Sequence, residues 1–196
     1  MTTLGPRYDE ALVYAADVHR EQLRKGTKTP YIAHLLAVSA LVIEDGARSG
    51  SVDEDEAIAA LLHDAAEDQG GEERLADIRA RFGDRVAEIV AACSDTFEDP
   101  KPPWRERKEA YIARLSVEDD VGILRVSLAD KLHNARQILE DYREVGEALW
   151  ERFNRDADTP WYYRTLEEVF RERLGGSPMT GQLGVVVGEL EEELAA

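Results

Sequence analysis

Helical periodicity leaves this chain one fold class. Apolar residues recur at intervals of three and four through Leu12, Ala15, Ala16 and Leu23, then through Ile32, Leu35, Leu36, Val38, Leu41 and Val42, and no run alternates like a half-buried strand. Glycine and proline punctuate the pattern at Gly26, Pro30, Gly46, Gly50, Gly70-Gly71, Gly83 and the stretch Pro100 to Pro103. Between those breaks the spacing predicts helices near residues 7–24, 31–45, 53–67, 72–82, 84–94, 104–115, 118–141, 146–153 and 161–173. The expected fold is all-α, a helical bundle. No long linker rich in Gly, Ser or Pro divides the 196 residues, so one compact domain is expected over 1–175. After Ser177-Pro178, the tail 176–196 carries Met179, Leu183, Val186, Val187, Leu190 and Leu194 at helical spacing, but Gly181, Gly184 and Gly188 weaken an isolated helix. Docking on the body, pairing with another subunit and partial disorder are all open for it.

Within this apolar framework a few ionisable residues stand out. The run Leu61-Leu62-His63-Asp64-Ala65-Ala66-Glu67-Asp68 follows the Ala- and Leu-rich stretch from Ala57. If its helix continues to Asp68, Glu67 stacks on His63 and Asp68 on Asp64. His34 sits in a second apolar helix and Asp130 in a third, among Ile123, Leu124, Val126, Leu128 and Leu132. An ionised carboxylate among such neighbours is costly unless a cation or donor compensates it. A shell of two imidazoles and two carboxylates suits Mn, Fe or Zn and leaves positions for water. The single Cys93 cannot build a closed thiolate zinc site or an internal disulfide. His133, three residues after Asp130, is expected to point away from the site and not to act as a fifth ligand.

The stretches Arg24-Lys25-Gly26-Thr27-Lys28-Thr29-Pro30-Tyr31-Ile32-Ala33-His34, His63-Asp64-Ala65-Ala66-Glu67-Asp68, Arg81-Phe82-Gly83 and Leu128-Ala129-Asp130-Lys131-Leu132-His133-Asn134-Ala135-Arg136 together resemble the hydrolase domain of the RelA/SpoT alarmone enzymes. Those enzymes are members of the HD superfamily of metal-dependent phosphohydrolases. The resemblance runs from about Tyr8 to about Phe170 and implies an HD-domain bundle with a metal site between helices. It implies that His34, His63, Asp64 and Asp130 hold the metal, commonly Mn2+, and that Glu67 and Asp68 position and activate the attacking water. Arg24 would pack against a nucleotide base with Lys25 beside it, and Asn134 would contact the sugar or phosphate region. Lys108 and Tyr162 are implied as further substrate contacts. The implied reaction is hydrolysis of the 3′-pyrophosphate of a nucleotide such as ppGpp, releasing pyrophosphate. Two departures bear on the base and phosphates. Gln69-Gly70-Gly71 stands where the long enzymes follow the acidic pair with Thr, and Cys93-Ser94-Asp95-Thr96 stands where they read Thr-Lys-Leu.

The formal net charge of −17 repels polyanions at long range and argues against a nucleic-acid partner. A small nucleotide needs only local positive charge, because screening over about 8 Å removes distant carboxylates from the balance. Arg24, Lys25, Lys28, Lys131, Arg136 and the segment from Lys101 to Lys108 can supply it. By composition alone that segment is a solvated helix start, and His19 and the aromatic cluster Trp161-Tyr162-Tyr163 are ordinary core. The N-terminal Met1 to Pro6 lacks a secretory pattern, and no apolar stretch reaches the roughly 20 residues that span a bilayer. A cytoplasmic enzyme with a small-molecule nucleotide substrate is expected, free or as an oligomer. Guanosine and adenosine substrates both remain open, as do a 5′-nucleotidase, a phosphodiesterase and a catalytically idle binding module.

Overall fold

The computed structural model describes residues 4–50, 53–98, 100–153 and 157–195, so part of the N-terminal stretch read above lies outside the described residues. The chain forms α1 (Pro6–Val18), α2 (Ile32–Ser49), α3 (Glu54–Leu62), α4 (Ala65–Asp68), α5 (Gly71–Phe82), α6 (Asp84–Cys93), α7 (Trp104–Ser116) and α8 (Val121–Val145). A 3-10 segment (Gly146–Arg152), α9 (Thr159–Leu174) and α10 (Pro178–Ala195) complete it. Among the described residues there is no strand, only an isolated bridge between Leu23 and Pro30, and the fold is all-α as expected.

The short α3 is the hub. Ala57, Ile58, Ala59, Ala60, Leu61 and Leu62 are all fully buried, so every side of the helix meets a neighbour: α1, α2, α6 and α8. An all-round apolar helix is stable only in such a position. Its N-terminus is fixed by the Asp53 carboxylate accepting from the Asp55 N–H, and α8 starts where Asp120 accepts from the Gly122 and Ile123 N–H groups.

Several boundaries differ from the sequence expectation. Helix α1 stops at Val18, because residues 22–31 turn back on themselves: Arg24 N–H donates to the Thr29 carbonyl and Tyr31 N–H to the Gln22 carbonyl, both at 2.9 Å. Helix α2 runs past Gly46 to Ser49. The predicted helix over 53–67 is in fact α3 and α4 with a break at His63-Asp64. Beneath them Arg125 donates to Asp45 (3.0 Å), to Glu56 and to the Ser49 hydroxyl (3.3 Å), tying α2, α3 and α8 through one buried guanidinium.

The tail forms α10, packed on α8 and α9 through Met179, Leu183, Val187 and Leu190. α10 lies close on α9 at Gly184, where a Cβ would lie 3.3 Å from Glu167 Oε1 and the Glu167 side chain would have to give by a few tenths of an ångström. The Ser177 hydroxyl bonds Asp45 Oδ1 at 2.6 Å and joins the tail to the buried ion cluster. Leu183 is fully buried, so Leu183→Ala should lower unfolding stability by about 2–5 kcal/mol in denaturant titration. An unchanged midpoint would mean that α10 is not part of the cooperative fold.

Candidate metal centre and nucleotide pocket

Four side chains from three neighbouring parts of the bundle converge. His34 comes from the first turn of α2, His63 and Asp64 from the break between α3 and α4, and Asp130 from the middle of α8. One potential ligand atom from each lies within 4.8 Å of all the others. His34 Nε2 is 3.2 Å from Asp130 Oδ1 and 3.5 Å from Asp64 Oδ2, and His63 Nε2 is 2.9 Å from Asp64 Oδ2. His63 and Asp64 keep right-handed helical backbone angles across the turn between α3 and α4, and both side chains reach the same cluster.

Both imidazole Nε2 atoms are buried without a hydrogen-bond partner, as a ligand nitrogen is before it takes a cation. Their other nitrogens are anchored: His63 Nδ1 lies 2.9 Å from the Ala60 carbonyl, so it carries a proton and Nε2 is the nitrogen turned toward the carboxylates. His34 Nδ1 lies 2.8 Å from His133 Nδ1. Burial, together with His34 and Arg24, pushes His133 down to about 4, so it stays a neutral acceptor and fixes the same tautomer in His34. His133 therefore does not point away, because three residues along a helix is a 60° rotation that keeps it on the face of Asp130. It stands behind a ligand instead of serving as one. The donor set fits a single divalent cation, and among the described residues it is the one His/Asp/Glu cluster close enough to do so.

Burial alone would raise both carboxyls, but the charges around them win. The charge of His63 and the close approach of both imidazoles hold Asp64 well below the usual carboxylate range, and Lys131 with the same imidazoles does so for Asp130. Lys131 Nζ lies 2.6 Å from Asp130 Oδ2 and Asn134 Nδ2 2.5 Å from Oδ1. The Tyr31 hydroxyl donates to Asp64 Oδ2 at 2.6 Å, and burial with that negative charge raises its pKa far above the normal tyrosine value.

Asp68 follows Asp64 by one helical turn, its N–H donating to the Asp64 carbonyl at 2.9 Å, as the sequence spacing requires. Glu67 is held at both oxygens, by Lys101 Nζ at 2.8 Å and by the Asp95 N–H at 2.9 Å. Asp68 accepts from Gln22 Nε2 at 2.8 Å; burial, then the neighbouring charges of Asp64 and Glu67, raise it to about 6. Asp95 gathers a cationic group, accepting from Lys108 Nζ at 2.5 Å and Arg107 at 2.6 Å. Lys108 lies 4.9 Å from the ring centre of Tyr162, whose buried hydroxyl has no partner. Arg136 instead reaches across to Gln182 of α10 and takes no part in this cluster.

On the other side of the four-residue cluster lies a cavity of about 280 Å³ lined by Arg24, Lys25, Asn134, Tyr163, Arg152 and Phe153, among others. Arg24 donates to Asn134 Oδ1 at 3.0 Å, and Asn134 in turn to Asp130, so the cavity wall is continuous with the ligand set. Sequence reasoning found Arg24, Lys25 and Asn134 but missed Tyr31, Arg152 and Phe153. Only the aromatic and basic residues between α8 and α9 could have signalled the last two.

The family model for the HD domain matches residues 11–154. The chain belongs to the HD-domain family. This HD domain is 31% identical to a guanosine-3′,5′-bis(diphosphate) 3′-pyrophosphohydrolase of Drosophila melanogaster, over 85% of the present chain and 94% of that one. It is 37% identical to the Xenopus tropicalis protein of the same description, over 66% and 68%. The bifunctional (p)ppGpp synthase/hydrolase SpoT of Escherichia coli is 28% identical over 95% of this chain, which spans only 29% of that protein's length. Among solved structures, a metazoan ortholog of SpoT reported to hydrolyze ppGpp superposes with a TM-score of 0.61 at 27% identity, covering 89% of this chain and 99% of that one. A Listeria monocytogenes protein gives 0.64 at 28%, covering 79% and 96%.

Substituting Asp130 by Ala should abolish stoichiometric metal binding, measured by elemental analysis after dialysis. His133→Phe should keep the stoichiometry and weaken affinity about 10–100-fold, the usual effect of losing an outer partner. Metal retained by Asp130→Ala would remove Asp130 from the ligand set.

Proposed function

We propose that this HD domain is a metal-dependent hydrolase of nucleotide 3′-pyrophosphates of the ppGpp type, releasing pyrophosphate. The observation that carries the reading is the continuity of the cavity with the His/Asp cluster. Tyr31 and Asn134 line the cavity and also bond Asp64 and Asp130, so a nucleoside seated there brings its phosphates to the ligands. The relatives described as guanosine-3′,5′-bis(diphosphate) 3′-pyrophosphohydrolases support the same chemistry.

In this reading His34, His63, Asp64 and Asp130 hold the cation; the mixed imidazole and carboxylate shell suits Mn, Fe or Zn, and the resemblance to the alarmone hydrolases implies Mn2+. Bound there, it lowers the pKa of water and offsets charge on a phosphate oxygen. Asp68 takes the proton of the attacking water, since its carboxyl has one oxygen engaged by Gln22 and an affinity for protons near neutrality. Glu67, bound at both oxygens by Lys101 and the Asp95 N–H, orients the water. Lys108, Arg107 and the Tyr162 hydroxyl face the pyrophosphate end, and Arg24 with Lys25 flanks the base. No helix among the described residues is long and apolar enough to cross a membrane. A reducing, cytoplasmic setting suits the lone Cys93, whose thiol burial pushes up to about 11.

Metal-replete protein should release pyrophosphate from ppGpp in a chromatographic panel with pppGpp, the adenosine counterparts, NADPH and nucleoside monophosphates. Orthophosphate from a monophosphate, with ppGpp untouched, would overturn the reading in favour of a nucleotidase. A base that works only when ionised loses activity as pH falls through its pKa. The kcat profile should therefore show an acid limb with a midpoint no higher than about 6, because a cation beside Asp64 offsets part of the charge that raises Asp68. Asp68→Asn should lower kcat by roughly 10²–10⁴ and remove that limb. A limb that survives the substitution would assign the base elsewhere.

A further inference from the structure

At the end of the cavity away from the metal ligands stands an ion pair that the hydrolytic chemistry does not use. Asp141, on the last turns of α8, accepts from Arg152 at the end of the 3-10 segment, with 2.9 Å between Oδ2 and the guanidinium nitrogen. Both side chains line the cavity and both are about one-quarter to one-third exposed, open toward it and not sealed in the core. Arg152 is also seated. Gly26 has φ +74°, and a Cβ there would lie 2.5 Å from Arg152 Cδ, so the stem of Arg152 fills the space that a side chain at position 26 would need.

Side by side, such a pair presents an ordered edge of guanidinium donors followed by two carboxylate acceptors. A carboxylate has about four acceptor sites and a guanidinium five donors, so their mutual hydrogen bond leaves capacity on each. The matching edge on a ligand is acceptor, donor, donor. Guanine has it, in O6, N1–H and the N2 amino group. Adenine offers a donor at N6, an acceptor at N1 and no polar group at C2, so it meets Arg152 with a donor and Asp141 with a lone pair.

We infer that Asp141 and Arg152 read the Watson–Crick edge of guanine and make this pocket select guanosine over adenosine nucleotides. The inference rests on the cavity being the nucleoside site of the hydrolase reading above, and it names the base. It also assigns Gly26 a role in specificity, by giving room to the Arg152 stem.

The test is binding of GDP and ADP to the full chain without added metal, by calorimetry, so that it is independent of turnover. Wild-type protein should prefer GDP, and Asp141→Asn should lower GDP affinity by about ten- to a hundredfold, the range of one bidentate base contact. It should hold ADP affinity level or raise it, because an amide can pair with both N6 and N1 of adenine. Arg152→Gln and Gly26→Ala should each shrink the GDP preference with less change in ADP. A guanine preference unmoved by Asp141→Asn and Arg152→Gln, in variants whose melting temperatures match wild type, would overturn the inference. So would equal affinity of the wild type for GDP and ADP. If GDP preference behaves as stated while ppGpp is not hydrolysed on metal loading, the base assignment stands and the hydrolase reading falls.

Discussion

Buried charge is the constraint around which this molecule is arranged. Two carboxylates and two imidazoles occupy the interior of a bundle whose hub helix is apolar on every side, and an isolated ionised group there would neutralise itself by a pKa shift. Each of these groups has a compensating neighbour. Lys131 and Asn134 serve Asp130, Tyr31 serves Asp64, and Ala60 and His133 fix the outer nitrogens of His63 and His34. What remains without a hydrogen-bond partner in this group is only the pair of Nε2 atoms that face inward, and those are the atoms a cation would take. Against the effect of burial, the charges of Asp64 and Asp130 raise His63 well above the usual imidazole range, so metal binding must displace a proton there and depend on pH.

The same logic organises the charge outside the cluster. A net charge of −17 gives an overall repulsion for nucleotides, yet the two sides of the metal centre are locally positive or evenly paired. On one side Lys101, Arg107 and Lys108 are bound to Glu67 and Asp95, and on the other Arg24 and Lys25 line the cavity. Short-range fields of this kind outlast screening in partly buried sites. The chain can therefore be strongly acidic and still present cations where a phosphorylated ligand would sit.

Much of this was legible in the sequence, for a physical reason. Apolar spacing reports on which face of a helix is buried, and His34, His63, Asp64 and Asp130 betrayed themselves as ionisable residues on such faces. The turn after Leu62 was not legible, since nothing in Ala65-Ala66 disfavours helix. The early end of α1 was hidden too, because it follows from the backbone pairing of residues 22–31, a tertiary demand that overrides propensity. His133 was misplaced by a wrong rotation, and Arg152 lies far from the ligand motifs in sequence, reaching the cavity only because the chain folds back after α8. The docking of α10 was hidden as well, because glycines at 181, 184 and 188 weaken an isolated helix and only the packing of Met179, Leu183, Val187 and Leu190 on the body reveals it.

The location of Arg152 and Phe153 has a consequence for how such a protein can change. The four clustered His and Asp side chains sit on α2 and α8 and at the end of the hub α3, where any substitution must also satisfy the core. The far wall of the cavity comes from a short 3-10 segment and the turn around Gly26, which carry few core side chains. Irregular connections of this kind accept replacement and changes of length at small cost in stability. If the cavity seats a base as proposed, the cluster half of the site is anchored to the fold while much of the base-facing half, Gly26 apart, lies on irregular chain, and ligand choice could drift without loss of the reaction.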